Sequence, residues 1–354
     1  MKSFSAAMLI IGTVIGAGFA SGREIVSFFG ADVSPFAAFA CGALIFLLSA
    51  VFLFLGSRLR LNNISAVNRR LAGGAHAVID IFLLFNNFIV LSGMLAGTDS
   101  LFRPMLNIAP FYSIAAGSLC VFIVCRGVKG LLDCNRIVVP LIIAALAALC
   151  LFADKTAAAP PRPFVFGTAG VALVYVAMNM MLAGTVLTTV SGLSKGNILW
   201  GSGIASAVMT LLIFLLILAI NASPAASADM PVLEIARALG PFAYRLITAV
   251  IAVSIFTTML TAMNGLTDWF YTLFASRLYA SVLVLLTALS LSNLGFANVV
   301  TYLYPIIGVL GVVYVALAVL CALRIIAPRA RLFRVRKLRA GAGGFKAADF
   351  LDRN

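Results

Sequence analysis

Long apolar segments separated by short polar ones occupy almost the whole chain. A helix needs about 20 mostly apolar residues to cross a bilayer, and windows of that kind recur along this sequence. Turn-forming pairs such as Ser34-Pro35 separate them, and the stretch 231–240 predicts a short amphipathic helix in a loop. We predict ten membrane-spanning helices at 4–29, 34–57, 79–102, 110–126, 131–153, 166–191, 195–221, 242–268, 278–294 and 297–326.

The composition agrees with this pattern. Of the 354 residues, 63% are hydrophobic and only 10% are charged, and the mean hydropathy is +1.14. A soluble domain carries about 25% charged residues. These values exclude a soluble enzyme and a disordered chain, and they indicate an all-α membrane protein. We assign residues 1–327 to one transmembrane domain and residues 328–354 to a basic tail.

The net charge of +14 is explained by the sides on which the basic residues fall. Lys and Arg concentrate in the cytoplasmic loops of membrane proteins. If the N-terminus is inside, 19 of the 25 Lys and Arg lie in inner segments and 5 in outer ones. We therefore predict that the two termini are cytoplasmic, and the charge gives no reason to expect nucleic acid as a partner.

The first span contains an unusual run from Gly12 to Glu24, in which four glycines precede a charged pair. A glycine costs a helix about 1 kcal/mol relative to alanine, and irregular backbone is tolerated in a bilayer only where protein or a water-filled cavity satisfies it. Close helix packing explains Gly12 and Gly16 but not the rest of the run. We predict a helix broken at about 16–22, with free backbone groups that bind ligands.

The charged pair Arg23-Glu24 is a functional candidate because charges inside a membrane are expensive. Adjacent residues on a helix do not face each other, so we expect the two to have different partners. No acidic residue lies deep in spans 3, 6 or 10. The absence of an obvious proton relay favours Na⁺ over H⁺ as a coupling ion.

The sixth span offers a counterpart to the first, with Tyr175 and Asn179 one turn apart and Gly184 after them. Interrupted spans at matching positions in two halves point to a transporter site at the repeat interface. We predict two inverted repeats of five spans, at about 1–153 and 166–327, with helices 1 and 6 broken.

The eighth span carries a stripe of hydroxyls at helical spacing, including Ser254, Thr257 and Thr258. Such a stripe is either structural, because Ser and Thr bond back to their own helix, or part of a Na⁺ site. Other intramembrane polar residues are expected to serve packing or hydrogen bonding; they are Asn86, Asn87, Thr301, Tyr302 and Tyr304.

The run Gly12 to Ile25, followed by Phe28-Phe29, resembles the opening signature of the YkvI family of bacterial membrane proteins. That family is placed with the amino acid–polyamine–organocation superfamily, which has the LeuT-type fold. The resemblance implies a substrate site at Gly16, Ala17, Gly18, Ser21, Tyr175 and Asn179, a gate at Arg23 and Glu24, and a Na⁺ site at Gly12, Ile15, Ser254, Thr257 and Thr258.

The functional hypothesis is a secondary transporter that moves a small organic solute, an amino acid or a related compound, by alternating access. Na⁺ is the expected coupling ion, with H⁺ as the alternative, and no other cofactor is expected. The expected partners are the small-molecule substrate and the lipid bilayer, and the oligomeric state is left open. A transporter-like nutrient sensor is the alternative. A membrane-embedded enzyme is disfavoured because the single histidine, His76, lies in a loop and no acidic cluster exists.

Overall fold

The computed structural model describes residues 2–30, 33–61, 64–104, 110–126, 131–153 and 166–343, and the regular elements within these ranges are helices. Residues 154–165, between the two predicted halves, and the end of the basic tail, 344–354, lie outside the described residues. The α-helices are α1 (Lys2–Val14), α2 (Ala17–Ala20), α3 (Arg23–Phe29), α4 (Ala37–Leu59), α5 (Ile64–Ala72), α6 (His76–Phe102), α7 (Phe111–Arg126), α8 (Leu131–Phe152), α9 (Phe166–Leu187), α10 (Lys195–Asn221), α11 (Pro231–Leu239), α12 (Pro241–Phe274), α13 (Arg277–Ser292), α14 (Phe296–Asn298) and α15 (Tyr304–Gly343).

Several of these helices are long and apolar enough to cross a membrane. Within the described residues, six stretches meet that criterion: Ala37–Leu59, Ser65–Phe102, Gly167–Leu187, Lys195–Asn221, Pro241–Phe274 and Phe296–Ile326. Shorter apolar helices cover Ser3–Val14, Phe111–Arg126, Val138–Phe152 and Arg277–Ser292. The all-α architecture is confirmed, and these stretches follow the order of the predicted spans. The crossing of all ten and the two-fold repeat stay predictions.

The first span is interrupted in the predicted region. Helix α1 ends at Val14, α2 covers only four residues, and α3 begins at Arg23. Gly16 is extended (φ −96°, ψ −176°), whereas Gly22 has φ +77°, a conformation that favours glycine. A Cβ at Gly22 would also come within 2.8 Å of Val232 Cγ2. Two changes of backbone direction therefore replace one continuous helix.

The predicted break in the sixth span is wrong, because α9 runs unbroken from Phe166 to Leu187. The Asn179 side-chain amide donates to the Tyr175 carbonyl oxygen (3.1 Å), a bond that helical backbone accommodates. Gly184 does not break the helix but allows it to pack closely against Phe52, because a Cβ at this position would lie 2.9 Å from the Phe52 ring. A single glycine does not end a helix when its neighbours favour one. The span is shorter than the predicted 166–191.

Helix α15 is preceded by a wide π-helical turn, Val299–Leu303. Pro305 lies just after this turn and has no N–H with which to continue an ordinary helical ladder. From Tyr304 the helix continues to Gly343, so the boundary predicted between 327 and 328 does not coincide with a helix end.

The interrupted first span lies among other helices. Helix α1 packs against α8, α9 and α10, α2 contacts α12, and α3 contacts α9 and the Val299–Leu303 turn. Helix α11, confirmed at Pro231–Leu239, is joined to the interruption by the Val232 N–H, which donates to the Ser21 carbonyl oxygen at 2.9 Å. The irregular backbone is therefore enclosed by protein, as an apolar surrounding requires.

Candidate functional site

A small cavity of about 30 Å³ lies at the interruption of the first span. Most of the side chains around it are buried, with Glu24 only 4% and Tyr304 3% exposed, whereas Thr13, Leu182 and Thr258 are half-buried, so the cavity is narrow but not fully enclosed. Its lining comes from the first span and from α6, α9, α12 and α15. The lining residues are Thr13, Val14, Gly16, Ala17, Gly18, Glu24, Asn86, Val90, Met94, Met178, Asn179, Leu182, Thr258 and Tyr304.

The interruption leaves backbone groups available at the cavity. The Gly16 N–H donates to the Val14 carbonyl oxygen at 2.9 Å, out of the helical pattern. Among the described residues, no backbone N–H is bonded to the carbonyl oxygens of Gly12 or Ile15, and the N–H groups of Ala17 and Gly18 reach no backbone carbonyl. Free carbonyls and free N–H groups therefore occur within one short segment, as at the unwound sites of transporters.

Glu24 places a carboxyl group inside this cavity, not at a gate with its neighbour. The carboxyl lies beside the Tyr175 hydroxyl and the Asn179 amide. It covers Gly18 so closely that a Cβ on that glycine would collide with it. The Oε2 atom of Glu24 and the Tyr175 hydroxyl oxygen are both buried without a hydrogen-bond partner. Glu24 therefore lies next to Gly18 and Asn179, two of the predicted substrate residues.

Tyr175 is fully buried under two aromatic rings of α3. The ring centroids of Phe28 and Phe29 lie 5.3 and 5.6 Å from that of Tyr175, both in edge-on geometry. Edge-on aromatic pairs of this kind contribute interaction free energy in addition to that of the apolar area that they bury. The aromatic cluster closes the α3 side of the cavity next to the Glu24 carboxyl.

Arg23 faces away from Glu24, which confirms that the two have different partners. Its Nη1 atom donates to the Ala228 carbonyl oxygen and its Nη2 atom to the Thr301 hydroxyl, both at 3.0 Å. The Thr301 hydroxyl also lies 3.3 Å from the hydroxyl of Ser27. We call these contacts of Arg23 with Ala228 and Thr301 the Arg23 latch. It ties α3 to the segment before α11 and to the turn before α15.

Ser21 serves the turn instead of lining the cavity. Its hydroxyl donates to the Gly18 carbonyl oxygen at 3.1 Å and lies 3.4 Å from the Arg23 N–H. Ser21 thus stabilises the connection between α2 and α3, and the structure gives it no direct access to a ligand in the cavity.

The predicted Na⁺ residues of α12 are only partly brought to the interruption. Thr258 lines the cavity, and its Oγ1 would lie 3.5 Å from a Cβ on Gly16. The hydroxyls of Thr257 and Thr258 both donate to the Ser254 carbonyl oxygen, at 3.1 and 2.9 Å. Ser254 is fully buried, and its own hydroxyl oxygen has no hydrogen-bond partner. A bound ion or water molecule is one way in which such a group is satisfied.

Sequence reasoning assigned three of the site's residues to packing or hydrogen bonding and not to ligand binding. Asn86 and Tyr304 line the cavity, and Thr301 is part of the Arg23 latch. The sequence signal that could have identified these residues as part of the site was that they are polar and lie within predicted apolar spans. The π-helical turn that positions Thr301 and Tyr304 was not visible in the hydrophobic pattern, although turns of this kind are frequent at functional sites.

Solved structures with a similar fold include transporters. MhsT in complex with L-phenylalanine matches with a TM-score of 0.59 at 17% identity, over 93% of this chain and 97% of that chain. Inward-facing Mhp1, a nucleobase-cation-symport-1 family transporter, matches with a TM-score of 0.62 at 13% identity, over 90% and 75%. A manganese transporter of Eremococcus coleocola matches with a TM-score of 0.54 at 13% identity, over 92% and 86%. The chain therefore has the LeuT-type fold.

Two proteins of Bacillus subtilis (strain 168) align with most of the sequence, whereas no family model matches it. The uncharacterized membrane protein YkvI is 28% identical over 332 residues, which is 89% of this chain and 94% of that protein. The uncharacterized protein YyaD is 25% identical over 326 residues, 86% and 92%. The resemblance to YkvI proteins is confirmed, and this chain is a membrane protein homologous to them.

Proposed function

We propose that this chain is a secondary transporter that moves a small organic solute, an amino acid or a related compound, by alternating access. The observation that carries the proposal is the narrow cavity at the interrupted first span, which combines free backbone groups with a buried carboxyl oxygen that has no hydrogen-bond partner. A soluble ligand inside a bilayer needs such a polar, protein-enclosed site near mid-membrane. The LeuT-type fold supports the same class of protein.

The solute lies against the interrupted backbone in this proposal. The free N–H groups of Ala17 and Gly18 suit a carboxylate or another acceptor on the solute, because they have no competing backbone partner. Gly16 belongs to the same stretch of backbone, Asn179 lies on the opposite wall, and Tyr175 lies beside the Glu24 carboxyl. The aromatic cluster of Phe28, Phe29 and Tyr175 separates this site from one side of the membrane.

Na⁺ drives the transport in this proposal, bound by the carbonyl oxygens of Gly12 and Ile15 and the hydroxyls of Ser254, Thr257 and Thr258. Two observations support the assignment. The carbonyl oxygens of Gly12 and Ile15 accept no backbone hydrogen bond from the described residues, and the Ser254 hydroxyl is buried without a partner. H⁺ is the alternative coupling ion.

The chain crosses a bacterial inner membrane ten times in this proposal, as two inverted halves at about 1–153 and 166–327 with both termini in the cytoplasm. The 19-to-5 distribution of basic residues supports this orientation. The α3 side of the cavity then faces outward, and the Arg23 latch holds the outer side closed.

The test is uptake into proteoliposomes that contain the purified full chain, with an imposed Na⁺ gradient and a panel of radiolabelled amino acids. We expect uptake of at least one of them that collapses when K⁺ replaces Na⁺ outside. Uptake that follows a proton gradient and ignores Na⁺ would assign the coupling to H⁺. Saturable binding without uptake under either gradient would contradict transport and favour the nutrient sensor.

A further inference from the structure

Glu24 is a carboxyl group in a membrane cavity without a cation beside it. It is buried and lines the cavity. Among the described residues, no Lys, Arg or His nitrogen lies within 4.0 Å of its carboxyl oxygens. The adjacent Arg23 is turned away into the latch. The other lining residues with polar side chains are neutral, so the chain itself offers this carboxyl no counter-charge.

The backbone is shaped to hold Glu24 in that position. Gly22 turns the chain through a positive φ of 77° immediately before α3, which directs the first turn of α3 towards α2. The absence of a side chain at Gly18 leaves the space that the carboxyl occupies, because a Cβ there would collide with it. Two glycines of the first span therefore accommodate one acidic side chain.

One oxygen of this carboxyl group has no donor. Oε2 of Glu24 is buried without a hydrogen-bond partner, on a side chain that lines the cavity. A primary ammonium group carries three N–H donors and one positive charge. It would donate to this oxygen and neutralise the carboxylate, which is costly to bury without a counter-charge.

We propose that Glu24 binds a protonated amine on the transported solute, so that solutes of this protein carry an ammonium group recognised by a side-chain carboxylate. The inference rests on the proposed transport function and narrows its substrate class. The cavity of about 30 Å³ has room for only about two water molecules in this conformation. The amine is therefore small at this end, and the cavity widens around a larger solute.

The experiment measures ligand-dependent thermal unfolding of the purified full chain with three matched probes. L-Alanine carries an amine and a carboxylate, ethylamine only the amine, and propionate only the carboxylate. The variant is Glu24→Gln, which keeps the shape and removes the charge. The control is Glu234→Gln, which removes an exposed carboxylate paired with Arg237 on α11. Ligand occupancy of the folded state raises its melting temperature.

We expect L-alanine and ethylamine to stabilise the wild type and Glu234→Gln, and propionate to stabilise neither. The apparent affinity of Glu24→Gln for both amines should fall by about 30-fold or more, as when one partner of a buried charge pair is removed. Glu24→Asp keeps the charge with a shorter reach. It should bind amines more weakly than the wild type but still prefer ethylamine to propionate, which tests the proposal if Glu24→Gln does not fold.

Several results would overturn the inference. They are the absence of any amine response in the wild type, equal responses to ethylamine and propionate, amine affinity that is unchanged in Glu24→Gln, and a Glu24-dependent response to NaCl alone. A failure of the proposed transport function gives a different result. Amines would then bind in a Glu24-dependent manner, but no uptake into proteoliposomes would occur, and the inference about Glu24 would still hold. Uptake of a solute without an amine, at a rate that Glu24→Gln does not change, would refute the inference and leave the transport function intact.

Discussion

The Arg23 latch predicts that one hydroxyl group controls access to the cavity from the α3 side. The Thr301 hydroxyl accepts a 3.0 Å hydrogen bond from Nη2 of Arg23. Thr301→Val keeps the shape of the side chain and removes this acceptor. The guanidinium group is already short of a partner at its Nε atom, which is buried and unbonded. The variant therefore leaves a second donor of a partly buried cation without a partner in the closed state.

The size of the effect follows from the kind of bond that is lost. A hydrogen bond to a charged group contributes about 1.5–3 kcal/mol, and about 1.4 kcal/mol corresponds to a tenfold change in an equilibrium constant. In the open state Arg23 is hydrated and gains nothing from Thr301. The ratio of open to closed molecules should therefore rise about 10- to 100-fold in Thr301→Val.

The assay is the labelling rate of a cysteine placed in the cavity. Met178 lines the cavity and is 6% exposed, so Met178→Cys reports opening without adding volume. The background carries replacements of the six native cysteines, and a membrane-impermeant thiol reagent is applied from the outer side. When opening and closing are fast relative to labelling, the rate is proportional to the open population. We expect the labelling rate in Thr301→Val to rise about 10- to 100-fold, in proportion to the open population.

Two further variants make the result specific. Thr301→Ser keeps the hydroxyl and should label at the wild-type rate. Thr287→Val removes an exposed hydroxyl on α13 that only bonds back to the carbonyl oxygens of Leu283 and Val284 at 2.9 Å, and it should also leave the rate unchanged. An unchanged or slower rate in Thr301→Val, with both controls behaving as described, would refute the latch.

Three other substitutions test the site and its supports. Gly18→Ala should displace the Glu24 carboxyl, destabilise the protein by about 1–3 kcal/mol in thermal unfolding and abolish the response to ethylamine. Ser254→Ala should raise the Na⁺ concentration for half-maximal uptake by about tenfold or more, since a ligand to a cation is lost. Gly311→Ala should lower the melting temperature through a loss of about 1–3 kcal/mol, because its Cβ would lie 2.8 Å from the Ala177 carbonyl oxygen on α9.

A specific result would contradict each of the predictions for Gly18→Ala, Ser254→Ala and Gly311→Ala. Gly16→Ala is the control for the glycine at position 18, because its Cβ meets only Thr258 atoms at 3.5 and 3.8 Å; equal destabilisation by both variants would contradict the Glu24 contact. Ser254→Ala with unaltered Na⁺ dependence and higher thermal stability would identify the hydroxyl as an unsatisfied group with no ion to bind. A melting temperature unchanged in Gly311→Ala would show that α9 and α15 can separate at no cost.

The interruption of the first span was predictable because its cause is local. Glycine lowers helix propensity wherever it occurs, and an Arg-Glu pair in an apolar segment requires partners. The unbroken α9 was not predictable in the same way. Its Gly184 is compatible with either a break or a packing contact, and the Phe52 ring that decides between them lies on α4, far away in sequence.

The sequence by itself determined the class of protein, the order of the apolar helices and the place where the first helix fails, because hydropathy, charge asymmetry and glycine content act over short stretches of chain. Only the tertiary structure decided which side chains meet. It turned Glu24 into the cavity and Arg23 away from it, joined Arg23 to Thr301 on a distant helix, and brought Asn86 and Tyr304 to the same cavity. Those contacts depend on how helices pack across the whole chain, and helix packing is set by the fit of many side chains at once.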